Sequence, residues 1–344
     1  MRDQWIKKLG LGVFVMGWII GLLGTTAFGQ QKEITVMTWG GVWGDSFRTN
    51  VIEPFMKKTG IKVNIVTQIT NRDGLTKLMA QKDNPQIDVW TADDATHALA
   101  AERGILAPLS EATVPNLKFS NHKGTEFSAV WYTFIPGIYY RTDKVPFELK
   151  TWEDLWDGRL KGKLAAPEVV YTSARFMVIV SLISGGNEKN MDPCFAKLAA
   201  LKPNIAMFYR TDAESIKFLE SGEATVCAMG LLPNVYKLLE KDSPYRFVVP
   251  AKPQLIIYNN MALIKGRDSK LGSELINYML STEAQEGHCS TIGLIPVNKN
   301  AKIPEKLKNI VPAKWENLYT INLDVVNQDI GKWTERFNKE IKGL

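Results

Sequence analysis

Histidine and cysteine are both scarce in this chain, with three of each in 344 residues. His97, His122 and His288 stand apart, and no HExxH, GxSxG or phosphate-loop pattern occurs anywhere, so the usual signatures of hydrolases and nucleotide-binding enzymes are missing. Cys194, Cys227 and Cys289 form no CxxC pair. They are too few and too widely spaced for a disulfide framework or a cysteine zinc site, and they allow at most one bridge. Cys227, inside ATVCAMG, reads as a small core residue. A basic block is also lacking: the formal charge of +6 comes from Lys and Arg interspersed with Asp and Glu, which argues against a nucleic-acid partner.

Only the N-terminus carries a long apolar run. A basic start, MRDQWIKK, precedes an apolar stretch of about 15 residues, then a small-x-small step ending at Gly29. Residues 1–29 therefore read as a secretory signal peptide, which marks the mature protein for export. No cysteine follows the cleavage step to take a lipid anchor. The remaining chain is long enough for two domains, and a hydrophobic content of 45% is ample for buried cores.

Along that remainder, short apolar runs alternate with amphipathic stretches. ITVMTW (34–39), IKVNIVTQI (61–69) and IDVWTADD (87–94) read as strands, separated by helical segments over 46–60 and RDGLTKLMAQK. The β-rich segments 127–143 and 253–266 look like two crossings between α/β lobes, each lobe a central sheet flanked by helices. The expected division is 31–135 plus 262–299 for the first lobe and 140–257 plus 303–344 for the second. Hinge strands are expected at about 136–139 and 258–261.

Open α/β sheets bind ligands beyond the carboxyl ends of their strands. On that rule Trp39 and Trp43, in TWGGVWGDSF, form an apolar wall, and Gly40 and Gly41 let the backbone approach a ligand. Asp93 and Asp94 follow another strand and face the same cleft, unless they cap the helix that starts with ATHALAAERG. Arg210, with Thr211, Asp212 and Ser215 at a helix start, offers an anion site or an ordinary cap. Arg141 and Arg175 are further candidates for gripping an acid.

The ordered series TWGGVWGDSF, PFMKKTGIKV, IDVWTADD, GILAPLS, PGIYYRTDKVP, TWEDLWDGRLKGKLAAPE, FLESGEATV, INYMLSTEAQ and GLIPVN resembles the periplasmic solute-binding proteins of ABC importers. Within them it is most similar to the spermidine/putrescine-binding group. The resemblance implies a type II periplasmic-binding fold, no cofactor, no bound metal and no catalysis. It also implies a monomer that closes over a small polar solute and docks on a permease in the inner membrane. Carried over position by position, it assigns Trp39, Trp43, Tyr258, Glu168 and Asp324 to the pocket. Two carboxylates expected there are replaced by Thr172 and Asn260, and an expected tryptophan by Leu231 or a neighbour. A polyamine-like amine is the leading ligand class, with a zwitterionic or anionic solute (amino acid, carboxylate or phosphonate) as the alternative. Ferric iron on the Tyr139–Tyr140 pair is a weaker one, because adjacent strand residues face opposite ways. A secreted enzyme using Asp93, Asp94 and His97 is weaker still.

Overall fold

The computed structural model describes residues 32–122, 124–239, 242–308 and 318–343. The expected signal peptide, 1–29, lies outside them.

Two sheets organise the described chain. The first holds β1 (Glu33–Trp39), β2 (Lys62–Gln68), β3 (Val89–Asp93), β4 (Leu106–Ala107) and β5 (Ala129–Phe134). The second takes β6 (Pro136–Arg141), β7 (Leu164–Pro167), β8 (Ile205–Tyr209), β9 (Val226–Leu231) and β10 (Tyr245–Val248). The chain then returns to the first sheet with β11 (Ile257–Ile264) and β12 (Ile295–Pro296). The strand order is β12-β5-β11-β3-β1-β2 in the first sheet, with β4 beside β11, and β10-β6-β9-β7-β8 in the second.

The pairing follows from the connections. β1 runs parallel to β2 and β3, each joined through a helix, whereas β11 returns antiparallel to β3 and β5. β3 is buried at every residue, as a strand covered on both faces must be. One face packs Val36, Val89 and Leu263 against the helices that follow β1 and β11, and the other packs Met37, Trp90 and Ala92 against Leu75, Leu78 and Leu99. The three cysteines are free and buried.

Three details differ from the sequence reading. The segment after β1 is helical from Gly41, and the helix runs on through Arg48–Ile52 to Thr59, so Trp43 sits on a helix rather than in a loop. The stretch KLGSELINYMLSTEAQEGHCS after β11, which the sequence pattern presents as one helix, divides into Ser269–Met279 and Thr282–Ile292, because Ser281 adopts an extended conformation and its side chain accepts from the Ala284 amide. Residues 258–261, expected as a hinge, belong to β11 and are hydrogen-bonded on both sides within the first sheet. The chain instead passes between the sheets at Ile135 and through 249–256, and the helix Leu323–Phe337 touches both halves.

Candidate functional site

A cleft of about 480 Å³ opens where the strand ends of the two sheets face each other. From the first half come Trp39, Trp43, Arg72, Asp93, Phe134 and Asn259; from the second come Tyr171, Thr172, Arg210, Asp212 and Leu231.

The aromatic wall is built locally. Trp39 ends β1 and Trp43 lies one helical turn on, their ring centroids 6.2 Å apart. Trp43 also stacks on Tyr132 at 6.0 Å and leans on Phe134 at 5.7 Å. Its indole N–H donates across to Asn234 Oδ1 at 3.3 Å, tying the wall to the second half. Gly44 makes this close return possible, since a Cβ there would lie 2.5 Å from the Trp39 carbonyl oxygen. Gly40 and Gly41 do not line the cleft. Gly40 caps the helix, and Gly41 supplies the positive φ of +59° that turns the strand into it.

Two constellations of charge face one another across the halves. In the first, Arg175 is 1% exposed and reaches from the helix Arg175–Ile183 to both aspartates at the end of β3. Its Nη1 donates to Asp93 Oδ2 at 3.4 Å and to the Thr172 carbonyl at 2.8 Å, and its Nη2 pairs with Asp94. Ser173 Oγ donates to Asp93 Oδ2 at 2.7 Å, and Thr96 N–H donates to Asp93 Oδ1 at 2.9 Å. Burial works to raise the Asp93 pKa, but the Arg175 guanidinium and these hydrogen bonds outweigh it and hold the carboxyl below its usual range. Burial prevails at Asp94, which is pushed up. Thr172, Ser173 and Ala174 take φ of 49°, 55° and 63°, a left-handed run that costs L-residues roughly 1–2 kcal/mol each. This latch is the contact such strain serves.

The second constellation is incomplete. Asp212 opens the helix Asp212–Ser221, and its carboxylate accepts from Tyr171 Oη. Among the described residues no Lys or Arg pairs with it, and burial raises its pKa against the opposing influence of the neutral donors Tyr171, Asn234 and Trp43. Arg72, half-buried at the start of the helix Asn71–Ala80, makes a single long hydrogen bond of 3.4 Å to Asn327 Oδ1 and no ion pair among the described residues. Asn259, 3% exposed, presents a carboxamide oxygen with no hydrogen-bond partner.

Of the residues expected at the site, Trp39, Trp43, Asp93, Thr172, Arg210 and Asp212 line the cleft, although Asp93 is occupied by the latch. Others fall elsewhere. Asp94 is held by Arg175. Glu168 is taken by Lys342 at 2.8 Å and by Arg210 at 3.5 Å. Ser215 is buried and donates back to the Asp212 carbonyl at 2.7 Å. Asp324 is exposed on the C-terminal helix, outside the cleft. Tyr258 turns toward His122, and Asn260 donates to Ser128 Oγ at 3.2 Å, because Ile257 and Asn259 are the alternate residues of β11 that face the cleft. The expected anion site at Arg210 is filled from within: Glu214 accepts from the Arg210 and Thr211 amides in a capping box. Tyr139 and Tyr140 are both buried in β6, and no cluster of three or more candidate metal ligands occurs among the described residues. Arg72, Tyr171, Ser173 and Asn259 were not singled out from sequence, and only the period-two alternation along IIYNN held a signal for Asn259.

Comparison with known proteins agrees with this architecture. The family model for bacterial extracellular solute-binding protein matches residues 50–315. Spermidine/putrescine-binding periplasmic protein 1 of Haemophilus influenzae is 26% identical over 323 residues, 87% of each chain. A Salmonella typhimurium protein provisionally named as 2-aminoethylphosphonate-binding and periplasmic is 26% identical over 266 residues, 74% of this chain and 76% of its own. The crystal structure of an ABC transporter protein from Clostridium perfringens superposes with a TM-score of 0.72 at 27% identity, covering 90% of this chain and 99% of its own.

Proposed function

From the premise that this chain belongs to the bacterial extracellular solute-binding protein family, with the type II periplasmic-binding fold and the substrate-binding role in ABC transport that go with it, we propose that it captures a small solute bearing a primary amine between its two halves and delivers it to a membrane permease. The observation that carries the ligand class is Asp212. It is a carboxylate in a cleft walled by Trp39, Trp43 and Tyr171, with no protein cation on it among the described residues. A carboxylate withdrawn from water is costly unless paired, and an ammonium group is favoured both by that charge and by the faces of aromatic rings. The two sequence relatives support the same reading: spermidine, putrescine and 2-aminoethylphosphonate all carry a primary amine.

In this reading the protein is a periplasmic monomer without catalytic activity or nucleic-acid contact. Its two halves are lobes that turn about Ile135 and residues 249–256. The latch of Arg175 with Asp93 and Asp94 closes them at one side of the cleft, and the solute completes closure at Asp212. Binding then shifts the population toward the closed form that a permease recognises.

A thermal-shift series with primary amines checks the proposal. An amine at 100 times its dissociation constant adds about 2.7 kcal/mol of apparent stability. Asp212→Asn removes the shift while the unliganded protein still unfolds cooperatively. Stabilisation by neutral sugars or simple acids, with none from any amine, would overturn it.

A further inference from the structure

Three polar groups in the cleft are left without the partner their chemistry calls for, and they do not all ask for the same thing. Asp212, on the cleft wall of the second half, accepts from the neutral Tyr171 hydroxyl and meets no cation among the described residues, so it asks for one. Arg72, on the first half, asks for an anion: a guanidinium carries five N–H donors in a planar fork suited to a carboxylate or phosphonate, and only one of them is engaged, at 3.4 Å. The Asp93 carboxylate attracts it through space but already receives Thr96, Ser173 and Arg175. The third group, Asn259, is nine-tenths buried on the cleft side of β11, and no donor reaches its carboxamide oxygen. A carboxamide serves either charge of a ligand lying across it.

A diamine does not fit this set. It needs an anion at both ends, and the other carboxylates of the wall are taken. Asp73 is held by Lys77 at 3.0 Å and by the Ile69 amide at 3.1 Å, and Glu214 by the amides of its own helix cap. Bringing a second ammonium to Arg72 would place like charges together in a desolvated cleft.

Resting on the amine reading above, we infer that the ligand is a short zwitterion, an amine at one end and a carboxylate or phosphonate at the other. Asp212 and the aromatic wall hold the amine, Arg72 holds the acid, and Asn259 lies beneath the link between them. Because Arg72 and Asp212 belong to opposite halves, such a ligand joins the halves through both of its ends, so Arg72 determines specificity.

Titration calorimetry with putrescine, butylamine, 4-aminobutyrate and 2-aminoethylphosphonate tests this on the purified protein. At least one of the two zwitterions binds about tenfold or more tightly than putrescine, the range expected when a charge-assisted hydrogen bond to the acid replaces a like-charge repulsion at Arg72. Arg72→Gln lowers the affinity of that zwitterion by roughly 10- to 100-fold and leaves butylamine within about threefold. Putrescine binding as tightly as both zwitterions, or Arg72→Gln weakening butylamine equally, overturns the inference and leaves the amine receptor standing. Silence from all four compounds overturns both readings. Should Arg72→Gln fail to fold, the ranking on the unaltered protein decides alone.

Discussion

The Asp93/Asp94/Arg175 latch and the Asp212/Arg72 pair occupy the same cleft and use the same residue types, yet one is complete and the other is not. In the latch every carboxylate meets a guanidinium or a hydroxyl, and three residues accept a left-handed backbone to make that so. At Asp212 and Arg72 no ion pair forms among the described residues, with only the through-space pull of Asp93 reaching Arg72, and the backbone beside Asp212 is an ordinary capped helix start. The difference separates charges that hold the two halves together from charges left for a solute.

Removing Arg175 should have the largest effect. Arg175→Ala leaves Asp93 and Asp94 buried without their cation, and about 3–5 kcal/mol of stability is lost in urea unfolding. A loss below about 1 kcal/mol would mean that the latch is solvated and the contrast with Asp212 is false. At the open pair, Asp212→Asn weakens amine binding roughly 100-fold while changing the unliganded stability by less than about 1 kcal/mol. A large stability loss would make Asp212 a structural residue instead.

The pH dependence follows from the sign of the Asp212 shift. Burial raises its pKa, so protonation sets in above the ordinary carboxylate range, and an ammonium binds only the ionised form. Amine affinity should therefore be flat above that raised pKa and fall as pH drops through it, approaching about tenfold per unit. Asp212→Asn flattens the profile; a slope that survives the substitution points to another group. Trp39→Ala should cost about tenfold in amine affinity through the lost ring face, with folding retained. Unchanged affinity would move the indole from the site to the core.

The smallest effect on affinity separates two neighbouring asparagines. Asn259→Asp adds an anion to the cleft and raises putrescine relative to 4-aminobutyrate by roughly a few-fold, because a charge so placed favours an ammonium and disfavours a ligand acid. Asn260→Asp brings no such gain, because its side chain faces Ser128. Equal gains from both would show that β11 presents the other face.

Much of the fold was legible before the structure. The strands around ITVM and IDVW, the helix caps at Asp93 and Thr211, and the crossing near Pro136 were all written in local patterns of burial and turn chemistry. The ordered motifs also led to the family, and the aromatic wall of Trp39 and Trp43 was found because it adjoins a strand end. These features depend on residues close together in sequence, where periodicity and capping leave a readable trace.

What the sequence could not decide was which charge meets which. Arg175 lies 82 residues from Asp93, and from sequence it was a candidate for a ligand acid, whereas the fold gives it to Asp93 and Asp94. Glu168 was lost to Lys342, 174 residues away, and Tyr258 and Asn260 were misplaced by a single step along a strand. Pairing across such distances is set by how two sheets close on each other, and a step of one residue in β11 turns a side chain from cleft to core. Composition and pattern determined that this chain folds into two α/β halves with an aromatic cleft. Only the packed structure decided that Asp93 and Asp94 belong to the protein while Asp212 and Arg72 remain for the solute, because an ion pair forms between neighbours in space, whatever their separation along the chain.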